Sequence, residues 1–245
     1  NVDLKNLFKS GKELSLQWKN FLQRSQKLDV GVTYPYIFNT KLGVNGELNL
    51  NKFDTLFLSL KSKLSFRYQQ KGNNYIQFYY QNISSSLITV DTNRVRSLQK
   101  LPDNNPYKID NYGLAVFQQD FDYLPNPRSG FSVWTDVAVG QKTILRNSDI
   151  ARVRFFNPQT NEYTSLYDTL NISSVRLDIK FKSSFFIPIK KRSTLRQLVE
   201  FNGLFADQVF FNELYNFGGY ATLRGFDENE LFASKALVYK AEYRY

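Results

Sequence analysis

The feature that most constrains this chain is a two-residue period that returns along its length. Over residues 56–68, Leu56, Leu58, Leu60, Leu64, Phe66 and Tyr68 share one parity, interrupted only by Ser62. Phe57, Ser59, Lys61, Lys63, Ser65 and Arg67 share the other. Successive side chains of a strand point to opposite faces, so this pattern predicts a strand with an apolar and a polar side. It recurs in 13–19 (Leu14, Leu16, Trp18), 27–38 (Leu28 to Phe38), 42–50, 76–80, 131–139, 175–187 and 194–205. The final stretch, 236–245, sets Leu237, Tyr239, Ala241, Tyr243 and Tyr245 against Lys240, Glu242 and Arg244. In 112–123, Ala115, Phe117 and Phe121 are expected to face outward. Residues 1–11 read as the tail of a strand and a tight turn. The total is about ten strands of roughly 9–12 residues, the length a tilted strand needs to cross a bilayer.

The connections sharpen this. Tight turns at 39–41, 124–130 and 188–193 alternate with long polar excursions at 82–111, 141–173 and 206–235. Outer-membrane barrels place short turns on the periplasmic side and long loops on the other. Tyr34, Tyr36, Phe38, Tyr123, Phe185, Phe186, Tyr243 and Tyr245 suit an aromatic girdle. A soluble sandwich, in which two apolar faces cover each other, is the competing architecture. The predicted fold class is all-β, an antiparallel transmembrane β-barrel, with residues 1–245 as one barrel domain.

Composition agrees where it speaks. The mean hydropathy is −0.42, but a barrel hides its hydrophobicity in every second residue. No run of eighteen apolar residues exists, so no transmembrane helix is expected. The net charge is +10, spread along alternating strands rather than gathered into a patch for nucleic acid. Cys and His are both absent. That excludes disulfides, thiolate metal sites and the commonest general base. No catalytic constellation is readable, and no enzyme activity or cofactor is expected. Asp120 and Asp122, or Asp227, Glu228 and Glu230, lack EF-hand spacing and read as solvated loop acids. GGYATLRG has neither Walker nor GxGxxG spacing.

One stretch departs from the alternation while strands flank it. It is residues 212–232, NELYNFGGYATLRGFDENELF. Tyr215, Phe217, Gly218 and Gly219 precede the tetrad Leu223-Arg224-Gly225-Phe226. This resembles the signature loop of the outer-membrane assembly and two-partner-secretion superfamily that includes BamA, TamA and FhaC. TYPYIFNT at 33–40 and the closing EYRY look most like Bacteroidota-type members.

The resemblance implies a sixteen-stranded barrel preceded by POTRA domains, with this loop folded into the lumen between strands eleven and twelve. On that count residue 13 opens strand three and residue 245 closes strand twelve, so the chain is expected to be a segment of a larger barrel. The resemblance also gives Arg224 a lumenal partner, for which Glu242 stands on the polar face of the following strand. An arginine turned into a lumen needs an acid, because an unpaired buried charge is costly. Gly225 would allow the turn beside it, and Phe226 would pack on the inner wall.

The implied function is assembly, insertion or translocation of polypeptides at the bacterial outer membrane. The expected partners are the lipid bilayer, unfolded or secreted client polypeptides and accessory assembly or surface proteins, with no nucleic acid. A passive porin-like or structural barrel is the alternative.

Overall fold

The computed structural model describes residues 2–7, 9–22, 24–157, 161–168, 170–190, 192–219, 222–227 and 230–245. In chain order it contains β1 (Val2–Leu7), β2 (Lys12–Leu22), β3 (Ser25–Tyr34), β4 (Leu42–Phe53), β5 (Phe57–Gln69) and β6 (Tyr75–Leu87). There follow α1 (Thr92–Leu98), β7 (Tyr107–Phe121), β8 (Gly130–Ile144), α2 (Ser148–Ala151), β9 (Arg154–Asn157) and β10 (Glu162–Ser165). The chain continues with β11 (Ser173–Lys190), β12 (Ser193–Phe205), β13 (Tyr215–Phe217), β14 (Leu231–Ala233) and β15 (Lys235–Arg244). One 11-stranded antiparallel sheet runs β1-β2-β3-β4-β5-β6-β7-β8-β11-β12-β15. The hairpins β9–β10 and β13–β14 stand apart from it, inside long loops. The sheet is open: β1 and β15 each have one neighbour among the described residues. The all-β expectation holds, and the sheet does not close into a barrel.

The two faces of this sheet reverse the arrangement of a water-soluble domain. Phe66, Phe78, Leu114, Val137 and Ile179 lie side by side across five strands. Phe66, Phe78 and Leu114 are 53%, 52% and 50% exposed. Two residues along, Tyr80, Tyr112, Val139 and Leu177 repeat the row. On the opposite face Ser65, Ser85, Asn111 and Lys142 are buried, with Lys142 only 1% exposed. A contiguous exposed apolar face of this extent marks contact with a membrane or another protein.

β7 takes the opposite parity to the expected one. Ala115 is buried beside Tyr79 and Ala138 on the concave face, and Phe117 pairs with Tyr75 and Trp134 on that same side. Tyr112, Leu114 and Val116 face outward instead. Residues 113–117 (GLAVF) are apolar on both parities, so composition does not fix their direction. β3 also stops earlier than the alternation suggests. Ile37–Asn39 form a 3-10 turn, with Tyr36 and Phe38 in the left-handed region.

Two glycines let the sheet curl. Tyr79 of β6, Gly113 of β7 and Ala138 of β8 share a row. The Tyr79 side chain lies across Gly113 and donates to Asp136 of β8 at 2.6 Å. A Cβ on Gly113 would sit 2.2 Å from the Tyr79 ring. One row away, Asn111 of β7 reaches past Gly140 of β8 to Asp178 of β11 at 3.2 Å. Both bonds span an intervening strand, which a concave surface with a missing side chain permits.

The long loops gather at one end. Residues 88–106, 145–172 and 206–234 connect β6–β7, β8–β11 and β12–β15. Their apolar side chains Val95, Ile150, Tyr167 and Phe210 pack with Tyr107, Ile109 and Ile144 of β7 and β8 into a small core. The larger hydrophobic cluster among the described residues is therefore a cap over one end of the concave surface, rather than a layer beneath the whole sheet.

Candidate functional site

Loop 206–234 lies across that concave surface, and its first half is the anchored part. Phe211–Glu213 form a 3-10 turn. Glu213 accepts the N–H of Phe210 at 2.9 Å, closing the turn on itself. Its carboxylate is fully buried between two cations of the sheet. Arg176 of β11 donates from Nη1 at 2.8 Å, and Lys142 of β8 donates from Nζ. Lys142 also donates to the Gln208 carbonyl at 2.7 Å. Arg176 grips Asp178 with a second pair of bonds, at 2.8 and 2.9 Å. The Tyr215 hydroxyl donates to Asp178 at 2.9 Å. Two acids and two cations thus neutralise each other out of water. This is the condition under which buried charge is tolerated, because desolvation otherwise exceeds the Coulomb gain.

Tyr215 belongs to β13, which pairs with β14 as the stem of the loop. Burial pushes its phenol well above the usual range, and the nearby Asp178 charge adds to the effect. Next to it Asn212 ties the loops together. Its amide donates to Ser85 at 2.9 Å and to the Asn105 carbonyl at 3.0 Å. Tyr107 donates to the Asn212 carbonyl at 3.1 Å, and Phe211 N–H donates to the Asp103 carbonyl at 2.8 Å.

The Gly-Gly pair and the tetrad form the far end of the loop, beyond the stem. Gly218 and Gly219 have φ of 121° and 86°, where a side chain is strained. A Cβ on Gly218 would also meet the Asp227 carbonyl at 2.2 Å. Thr222 bridges the turn, accepting from Gly218 N–H at 2.8 Å and donating to its carbonyl at 2.6 Å. Gly219 N–H reaches the Phe226 carbonyl at 3.1 Å, and Gly219 bridges Leu223. Gly225 has a φ of 95° with open space where its Cβ would be. So the six residues marked in the sequence do come together, as a tight tip built on backbone bonds.

The charged partners fall differently from the resemblance. Arg224 is exposed at the tip, and Phe226 is 46% exposed rather than packed on the inner wall. Glu242 does stand on the concave face of β15, where it pairs with Arg196 of β12 at 3.2 Å and Arg244 at 3.0 Å. The buried acid that fastens the loop is Glu213, ten residues before the tetrad begins. Alternation had already put Arg176 and Asp178 on the polar face. Which loop acid they select among Glu213, Asp227, Glu228 and Glu230 depends on tertiary placement. Glu228 lies outside the described residues. Flanking Phe210, Phe211 and Leu214 were the available signal that Glu213 sits in an apolar surround.

Of the other loop acids, Asp122 is a turn residue. It accepts the N–H groups of Arg128 and Ser129 at 3.0 and 3.2 Å, and these bonds hold its carboxyl below the usual range. No group of acids arranged to hold a metal occurs among the described residues, and no helix there is long and apolar enough to cross a membrane. Comparison with protein-family models and with curated proteins returns no match to this chain.

Proposed function

We propose that this chain forms part of the wall of a bacterial outer-membrane β-barrel that assembles, inserts or translocates other polypeptides, without enzymatic chemistry. In this proposal loop 206–234 is an inward latch. The observation that carries it is the Glu213 anchor: a loop fastened by buried charge to the polar face of a sheet whose other face is exposed and apolar. A lumenal loop that must hold one position and then release has a reason to be fastened in this way. Hydrocarbon leaves no backbone group unpaired, so the proposal includes further strands that close the sheet between β15 and β1. The bilayer would meet Phe66, Phe78 and Leu114, and client polypeptides would meet the concave surface.

The test is export of client outer-membrane proteins in cells that depend on the full-length protein. Glu213→Gln, which unfastens the loop, is expected to lower client assembly or secretion while the barrel still inserts and migrates as a folded band. Unchanged export together with unchanged stability would contradict the proposal. A wide, steady single-channel conductance that ignores changes at Glu213 and Arg224 would assign the chain to the passive porin-like class instead.

A further inference from the structure

The concave face carries a second group of cations, away from the Glu213 anchor. Lys61 and Lys63 stand two residues apart on β5, and Lys180 and Lys182 two apart on β11. Although β6, β7 and β8 separate these strands in the sheet, Lys61 lies within electrostatic range of Lys180. The curl of the sheet therefore turns Lys61, Lys63 and Lys180 toward one space. Glu47 and Asp136 are the carboxylates that act on Lys61 and Lys63, and Lys182 pairs with Glu200 at 3.1 Å. Among the described residues Lys61, Lys63 and Lys180 close no ion pair with a carboxylate. Instead Lys63 sits over the Tyr79 ring at 4.0 Å and Lys180 over the Tyr215 ring at 5.4 Å.

We infer that this face is a binding track for an extended polypeptide segment with acidic side chains at alternate positions. The inference rests on the proposed polypeptide-handling role and names the chemistry of the client. Two features favour a polypeptide over a small anion. Each lysine pair repeats at roughly 6.7 Å, the spacing of every second side chain on an extended chain. The rings of Tyr79 and Tyr215 add apolar surface beside the cations, which a free inorganic anion would not use. Tyr215 belongs to the latch loop, so the latched loop covers part of the Lys180 end of the track.

The test uses the full-length protein in detergent and a fluorescent peptide of about ten residues alternating Asp with small polar residues, long enough to span the track. Neutral and Lys-alternating peptides of equal length serve as controls. Anisotropy is expected to show binding of the acidic peptide alone, weakening as salt rises. Replacing Lys61, Lys63 and Lys180 with Gln is expected to weaken it about tenfold. Replacing all three with Arg keeps the charge and should keep binding, which separates charge loss from misfolding. Should the triple Gln variant fail to fold, Lys180→Gln alone against Lys180→Arg makes the same comparison.

Equal binding of all three peptides, or no effect of the Gln substitutions, would overturn the inference. So would displacement by inorganic phosphate at equal charge concentration, since the site would then read charge without chain. Export plays no part in this measurement. A protein that binds the acidic peptide yet supports no client assembly would overturn the proposed function and leave the track standing.

Discussion

Replacing Glu213 with Gln keeps the size of the side chain and removes its charge. The wild-type carboxylate holds Lys142 and Arg176 while also closing its own turn through Phe210 N–H. After the change Arg176 retains both bonds to Asp178, whereas Lys142 keeps the Gln208 carbonyl and the Phe210 ring but no carboxylate. Lys142 and Glu213 have side chains 1% and 0% exposed, so water does not compensate. Breaking a buried pair from one side costs about 3–5 kcal/mol. With Arg176 still neutralised, the lower end applies, about 3 kcal/mol. The cheapest relief is for the loop to lift and let Lys142 hydrate. At about 1.4 kcal/mol per tenfold, that raises loop opening roughly a hundredfold.

Amide hydrogen exchange reads this directly. Protection of residues 206–217 should fall by about two orders of magnitude, while β5–β8 stay protected. Adding Lys142→Met to Glu213→Gln removes the stranded charge and should recover much of the loss, because an apolar replacement of a buried pair is often neutral. Arg224→Ala should leave this protection unchanged, since Arg224 is exposed. Equal protection in wild type and Glu213→Gln would refute the latch.

Further outcomes follow from the same geometry. Tyr79→Phe strips Asp136 of its 2.6 Å donor and should cost about 1–3 kcal/mol, read as a lower melting midpoint of the heat-modifiable band. Leu114→Arg on the outer face should cost about 2–4 kcal/mol in lipid, measured as loss of folded protein in vesicles. The raised Tyr215 phenol means the folded state favours the neutral hydroxyl. Its contribution is complete below the ordinary tyrosine range and is lost as pH rises past about 10. The protection of 206–217, taken relative to the intrinsic base-catalysed exchange rate at each pH, should therefore fall in alkali, and Tyr215→Phe should remove that fall.

Much of the sheet was legible because alternation reports burial in a surface with unlike faces. β5 separates Leu64 and Phe66 from Lys63 and Ser65, and the register keeps them apart. The parity of β15 likewise put Glu242 and Arg244 on the concave side. β7 was misread where Leu114 and Val116 alternate with Ala115 and Phe117, because hydrophobicity there carries no phase. Its phase comes from Tyr79 crossing Gly113. The left-handed turn at Tyr36 and Phe38 was hidden for a related reason, since TYPYIF alternates as well as a strand does.

The loop tip was readable as a motif, because Gly218, Gly219 and Gly225 all take a positive φ, which glycine adopts without strain. The anchor was not. Lys142 lies at the end of β8 and Glu213 lies 71 positions away. Their meeting is tertiary: the loop returns across the sheet to Lys142 and Arg176.

The central claim is that the apolar face of this sheet meets lipid and the polar face meets water. The chain has no cysteine, so single cysteines can be placed at 112, 114, 115, 116 and 117, leaving Gly113 under the Tyr79 ring, and the protein reconstituted in vesicles. Cysteines at 112, 114 and 116 should be shielded from a charged aqueous thiol reagent and quenched by a lipid-borne probe, while 117 shows the reverse and the buried 115 is shielded from both. Equal access of the aqueous reagent to 112, 114 and 116, with no lipid quenching at any of them, would contradict it.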